Sequence, residues 1–262
     1  MWLFFLLLFL LLLLKKLFIQ QRNVRRTSSI PKVIHKVYID HSMELPDILP
    51  TCIKEAHASW VNLNPSYTLK YYSGNDCIKY LHTHFGPKHV QMFNQLNAYS
   101  AKCDFFRYCV TYHQGGVYSD WKQICLTPLD SFIHNDWDFF AFNDLGNNFS
   151  KSNSFQSTGF FGAIQGHPIL KKAIQLCTLN VDRRFYGKTP LDPTYLPLSI
   201  AIRDVPAKRT SVIGFFRKGY YYLHNSSTQL VLNKSRGSGL GQHWVKGNNY
   251  NTLWFNKTFY KK

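Results

Sequence analysis

The chain has 262 residues, 45% apolar and 16% aromatic, which is ample for a packed core and excludes extended disorder. Its formal charge of +17 suits phosphate-bearing partners, such as nucleotide sugars or anionic lipid headgroups. The basic residues are scattered apart from one cluster (Lys15, Lys16, Arg22, Arg25, Arg26, Lys32, Lys36), and no zinc-finger or RNA-binding signature accompanies them, which argues against nucleic acid as a partner.

Trp2 to Leu14 is an uninterrupted apolar run, about 20 Å long as a helix. Adding Leu17 to Ile19, with Lys15 and Lys16 snorkelling, brings it to about 27 Å, enough for a thin bilayer. No Lys or Arg precedes the run and no A-x-A-like site follows it, which favours an uncleaved single-pass anchor over a signal peptide. Residues 1–29 therefore read as membrane anchor and basic stem, and 30–262 as one domain. Positive charge on the C-terminal flank of the anchor points to the cytosolic face.

Along the domain, strands are expected at Val33 to Tyr38 and Thr68 to Tyr72, and helices at Asp47 to Val61, Asn75 to His84 and Lys88 to Leu96. The next segment is the most informative. From Ala98 to His113, Ala101, Phe105, Cys109 and Tyr112 recur at helical spacing and predict one buried stripe. Gly115 and Gly116 end that helix, because glycine enters the left-handed cap without a Cβ penalty. Val117 to Ser119 is then a short strand that delivers Asp120 to the end of the sheet where α/β folds bind ligands. Asp104 and Arg107, three apart on the helix, lie to one side of the stripe, so an acid, a base and a strand-end acid can converge on one pocket.

Further strands are expected at Ile124 to Leu126, Asp138 to Phe142 and Phe160 to Ile164, with a loop at Asn143 to Ser154 as a lid. Helices follow at Pro168 to Leu179 and Pro193 to Asp204, and Val212 to Phe259 reads as short strands and turns. Strands alternating with helices predict an α/β sandwich with mostly parallel pairing. Asp136-Trp137-Asp138 spells D-x-D but precedes an apolar run with no glycine turn before it, so these acids are expected to edge a strand in preference to holding a metal, and His167 is expected to cap a helix start. The six cysteines show no metal spacing, and Cys103 and Cys109 read as small core residues. No Ser-His-Asp order or P-loop occurs, and no carboxylate pair stands out as a hydrolytic acid and base.

Four motifs in order carry a family resemblance. They are IPKVIHKVYID at Ile30 to Asp40, SWVNLNPSY at Ser59 to Tyr67, the run Ala101, Asp104, Arg107-Tyr108, Gly115-Gly116, Tyr118, Asp120, and FFGAIQGHPIL at Phe160 to Leu170. Together they resemble the sugar-binding region of glycosyltransferase family 32. The resemblance implies a GT-A type, Rossmann-like α/β fold. It also implies retaining transfer of a hexose from GDP-mannose, UDP-galactose or UDP-N-acetylglucosamine to a glycan or glycolipid hydroxyl. Mannosyl transfer to inositol phosphoceramide suits a short, basic, membrane-held chain best, and Golgi-type members imply a lumenal domain in the secretory pathway, against the cytosolic face suggested by charge.

The resemblance further implies Asp104 on nucleotide or sugar hydroxyls and Arg107 on the donor, with Tyr108, Tyr118 and His35 as further substrate contacts; His35 reads equally as a core histidine. Asp104 and Arg107 alone would read as a surface ion pair. A divalent cation, Mn2+ or Mg2+, is implied at Asp120, bridging the donor diphosphate. One departure matters: the second acid of the D-x-D is replaced, giving Asp120-Trp121-Lys122. Either Asp120 holds the metal with other groups, such as His243 in the C-terminal tail, or Lys122 neutralises the leaving phosphate, or catalysis is lost. Asp120, Lys122 and Arg107 are thus the candidate catalytic residues. The alternatives from other classes are a non-catalytic nucleotide-sugar or glycan binder and a basic membrane-surface adaptor.

Overall fold

The computed structural model describes residues 29–48, 50–145, 155–206, 210–233 and 247–261. The apolar N-terminal run, most of the expected lid and His243 lie outside them. Among the described residues, no helix is long and apolar enough to cross a membrane.

The elements run β1 (Val33–Val37), α1 (Thr51–Leu63), β2 (Thr68–Tyr72), α2 (Gly74–Phe85), α3 (Pro87–Gln95), α4 (Tyr99–Gln114), β3 (Gly116–Ser119), β4 (Gln123–Cys125), β5 (Phe139–Asp144), β6 (Phe160–Ala163), α5 (Pro168–Asp182), α6 (Leu196–Asp204), β7 (Thr210–Arg217), β8 (Tyr220–Leu223), β9 (Gln229–Asn233) and α7 (Tyr250–Phe255). Local chemistry sets several ends. A capping box between Ser73 and Asp76 starts α2. Gly115, at φ 69°, stops α4. His167 caps α5 by accepting from the Ile169 N–H at 3.3 Å.

The strands form one sheet in the order β2-β1-β3-β6-β5-β7-β8-β9-β4. The pairing corrects the expectation of a mostly parallel sheet. Among the described residues, β1 with β2, β1 with β3, and β5 with β7 are parallel, and the other five pairs are antiparallel. The reason is partly the Lys218-Gly219 turn, whose φ angles of 50° and 88° are both positive, as a two-residue hairpin requires. Strands β3 and β4 are joined by three residues, Asp120 to Lys122, yet five strands separate them in the sheet. The sheet therefore curls until its far edge returns beside β3.

That curl makes two cores. Along β5, Phe139 and Ala141 face a core shared with the helices, while Phe140 and Phe142 face a second core inside the curl. Strand β6 repeats the alternation, with Phe161 on the helical side and Phe160 on the other. Trp60 of α1 closes the second core, its indole N–H donating to the Gln123 carbonyl at 2.7 Å. Helix α4 differs from the expected single stripe: it is central and buried on nearly all sides. Even Lys102 is buried there, over the Phe93 ring at 4.4 Å. Cys77, Cys109, Cys125 and Cys177 are buried free thiols, and Cys103 is a partly buried one.

His35 belongs to this interior rather than to a pocket edge. Its Nε2–H donates to the Gly115 carbonyl at 2.8 Å, so Nδ1 accepts from the Tyr72 hydroxyl at 3.2 Å. Burial pulls its pKa down to about 4. The folded protein therefore keeps His35 neutral where the unfolded chain takes up a proton. Stability contributed by this group is full above about pH 6.5 and is lost as pH falls towards 4, by about 3 kcal/mol in all. Thermal unfolding followed from pH 7 to pH 4.5 is expected to show this fall, and His35→Gln to flatten it. An equal slope in both proteins would contradict the assignment.

Candidate active site

A cavity of about 500 Å³ opens at the carboxyl ends of β3 and β5, with Asp104, Arg107 and Asp120 on its wall. Arg107 is the hub, because the turn of α4 aims it at the end of β3. Its Nη2 lies 3.2 Å from Asp104 Oδ1, and its Nη1 lies 3.3 Å from Asp120 Oδ1. Nη1 also donates to the Thr158 carbonyl at 2.7 Å and to Thr158 Oγ1 at 3.1 Å, and Nε donates to the Cys103 carbonyl at 3.2 Å. The guanidinium sits over the Tyr118 ring, 4.4 Å from its centroid. All three guanidinium nitrogens thus have partners within the protein.

Asp104 is buried and accepts from the Thr194 hydroxyl at 2.8 Å. Burial pushes its pKa up, and the Arg107 charge opposes that shift. Asp120 is the more accessible acid. Its Oδ1 takes the Tyr118 hydroxyl at 3.0 Å as well as Arg107, while Oδ2 accepts no hydrogen bond among the described residues. Gly159 keeps that oxygen open: a Cβ there would stand 2.9 Å from Asp120 Oδ2.

The expected residues are not all brought together. Tyr118 braces Arg107 and Asp120 from beneath. Tyr108, one residue on from Arg107, turns into the core instead, where its hydroxyl donates to the Thr194 carbonyl at 3.1 Å. Lys122 stands half-buried on the turn after Asp120 and does not line the cavity. Trp121 between them packs on Tyr38, ring centroids 4.1 Å apart.

Several cavity residues escaped the sequence. Asp144 ends β5 and accepts from the Tyr195 hydroxyl at 2.6 Å; the strand-end rule that marked Asp120 would have marked it too. Ser157 and Tyr221 share a hydrogen bond of 2.6 Å across the cavity. Lys36 lies fully buried beneath the turn, donating to Ser119 Oγ and to the Asp120 carbonyl, each at 3.0 Å. Burial pulls its pKa down to about 7, against the attraction of Asp120. A charged residue inside an apolar strand was the available signal.

The fit of a divalent cation can be judged from the donor set. Hard cations want several oxygens at once. Here Asp120 offers a single uncommitted oxygen, residue 122 is a lysine, and no group of three His, Cys, Asp or Glu able to hold a metal occurs among the described residues. The described residues do not assemble the cation site that the D-x-D resemblance implied.

Residues 50–138 match the family model of a glycosyltransferase sugar-binding region containing a DXD motif. An uncharacterised glycosyltransferase of Acanthamoeba polyphaga mimivirus is 24% identical over 140 residues, which are 53% of this chain and 52% of the relative. The chain thus spans about half the length of the curated relative it matches. Among solved structures, the PaToxG glycosyltransferase shares the fold, with a TM-score of 0.51 at 16% identity, over 67% of this chain and 69% of that one. From α1 to the start of β5, through Asp104, Arg107 and Asp120, the chain is similar to a glycosyltransferase sugar-binding region.

Proposed function

We propose that the protein is a glycosyltransferase that moves a hexose from a nucleoside-diphosphate sugar to a hydroxyl of a glycan or glycolipid, with retention at the anomeric carbon. The observation that supports this most is the convergence of Asp104, Arg107 and Asp120 on one cavity, within the segment that matches the sugar-binding region. About 500 Å³ is within the usual range for small-molecule sites. Carboxylates and hydroxyls on its wall suit the hydroxyls of a sugar ring.

In this proposal Asp120 Oδ2 accepts from the sugar, and Arg107 holds Asp120 and Asp104 in place. Lys122, on the turn two residues past Asp120 and outside the cavity lining, adds positive charge near the departing phosphate without lining its site. Catalysis is then mostly positioning and leaving-group stabilisation. A membrane-borne acceptor and a secretory-pathway location belong to the same proposal and rest on the apolar run from Trp2 to Leu14.

The test is nucleoside diphosphate release by the purified full chain with GDP-mannose, UDP-galactose and UDP-N-acetylglucosamine, with and without added glycan or glycolipid. Release from one donor, stimulated by an acceptor, is expected. Silence with all three from a folded protein would overturn the proposal.

A further inference from the structure

We propose that Lys36 is the positioning residue of this cavity: its ammonium, sealed beneath the turn between β3 and β4, fixes the Asp120 backbone and so aims the carboxylate. Lys36 projects from β1 into the second core and is 0% exposed. Two of its protons go to Ser119 Oγ and the Asp120 carbonyl, and its Nζ lies 4.6 Å from the centroid of the Trp60 ring. Among the described residues no carboxylate lies within ion-pair distance of it. An ammonium buried without a carboxylate works against stability, since an apolar side chain of similar length would avoid its desolvation. What its presence does supply is a defined turn.

The Asp120 backbone is held from both sides. Its N–H donates to the Gly159 carbonyl at 2.9 Å, and its carbonyl accepts from Lys36 and from the Gln123 N–H, each at 3.0 Å. Ser119 passes the anchorage on, donating to Gln123 Oε1 at 2.8 Å, and Gln123 Nε2 donates to the Tyr221 hydroxyl at 3.3 Å on the cavity wall. One buried charge thus ties the turn to the opposite side of the cavity.

A second consequence rests on the donor-binding proposal. In a trans peptide the carbonyl and the next N–H point in opposite directions. With the Asp120 carbonyl on Lys36, the Trp121 N–H points away from the buried ammonium. Neither it nor the Lys122 N–H has a hydrogen-bond partner among the described residues. A cation behind the carbonyl polarises that peptide and makes its N–H a better donor to an anion, such as a nucleoside diphosphate.

The experiment compares the full chain with Lys36→Met and Lys36→Gln. Backbone amide spectra are expected to show shifts at residues 119–123 with the rest of the spectrum intact, and melting at or above the parent temperature for Lys36→Met. Calorimetry with UDP and with GDP is expected to show at least about tenfold weaker binding in both variants. Unmoved turn amides would overturn the positioning role, as would parent-like nucleotide affinity in a variant whose parent binds. Failure of both variants to fold would assign Lys36 to stability alone and overturn it too. If the parent itself binds neither nucleotide, the donor-binding proposal fails, and the amide shifts still decide for or against Lys36.

Discussion

Arg107→Met is expected to lower the unfolding free energy by roughly 3–5 kcal/mol and to abolish turnover. The guanidinium neutralises two carboxylates at once, and one of them, Asp104, is buried with Thr158 and Thr194 as its other partners. Removing it leaves an uncompensated buried charge and an unpaired Thr158 carbonyl. Arg107→Lys is expected to rescue little, because an ammonium cannot serve Cys103, Thr158, Asp104 and Asp120 from one plane.

The orphaned Asp104 then takes up a proton more readily. Its folded pKa, already raised by burial, rises further once Arg107 is gone. An acid whose folded pKa is raised is stabilised at low pH and loses that stability as pH rises. The variant is therefore expected to be less impaired at pH 5 than at pH 7, and Asp104→Asn added to it to remove most of the difference. Urea unfolding at the two pH values checks this. A loss below about 1 kcal/mol at pH 7 would show that the ion pair is only a surface contact.

Asp120→Asn should separate function from fold. Asparagine keeps an acceptor for Tyr118, and the side chain is 32% exposed, so melting is expected to change little. Turnover is expected to fall roughly 10²–10³-fold, the usual consequence of removing one preorganised electrostatic group. Lys122→Ala is expected to act elsewhere, weakening nucleoside diphosphate binding while a chelator leaves the parent's binding unchanged. Calorimetry with UDP and GDP, with manganese or with a chelator, distinguishes the two. If chelation abolishes binding, the phosphate depends on a cation and Lys122 does not replace it.

Much of this was legible from local signals. Helix spacing and the glycine stop place Asp104, Arg107 and Asp120 together, and β2 falls at the expected residues, because those features need only neighbours in sequence. The later strands were harder. Tyr220 to Leu223 is apolar and aromatic throughout, so it lacks the alternation that betrays a half-buried strand. Helix α7 has six residues, and its start depends on Asn249 accepting from Asn251 and Thr252. The resemblance implied Tyr108 and His35 as substrate contacts, His35 reading equally as a core histidine. Direction decides otherwise: one step along a helix turns a side chain by about 100°, which carries Tyr108 from the cavity to the core. Thr158 and Thr194 reach the site only through tertiary contacts, which no local pattern encodes, and Lys36 showed only as a charge inside an apolar strand.

The curled sheet also sets the order in which this molecule can be completed. Among the described residues β4 pairs with β9, whose residues 229–233 are made more than a hundred positions later. Asn233, Tyr250 and Phe259 are part of the cavity wall. During synthesis the Asp120 turn must therefore wait, its far strand unpaired, while the helical core gathers behind it. Contacts of such long sequence separation are the slow ones to form. Closure of the proposed catalytic cavity is thus expected to come late in folding, and a chain cut before residue 229 is expected to lack its far wall however well the preceding helices pack.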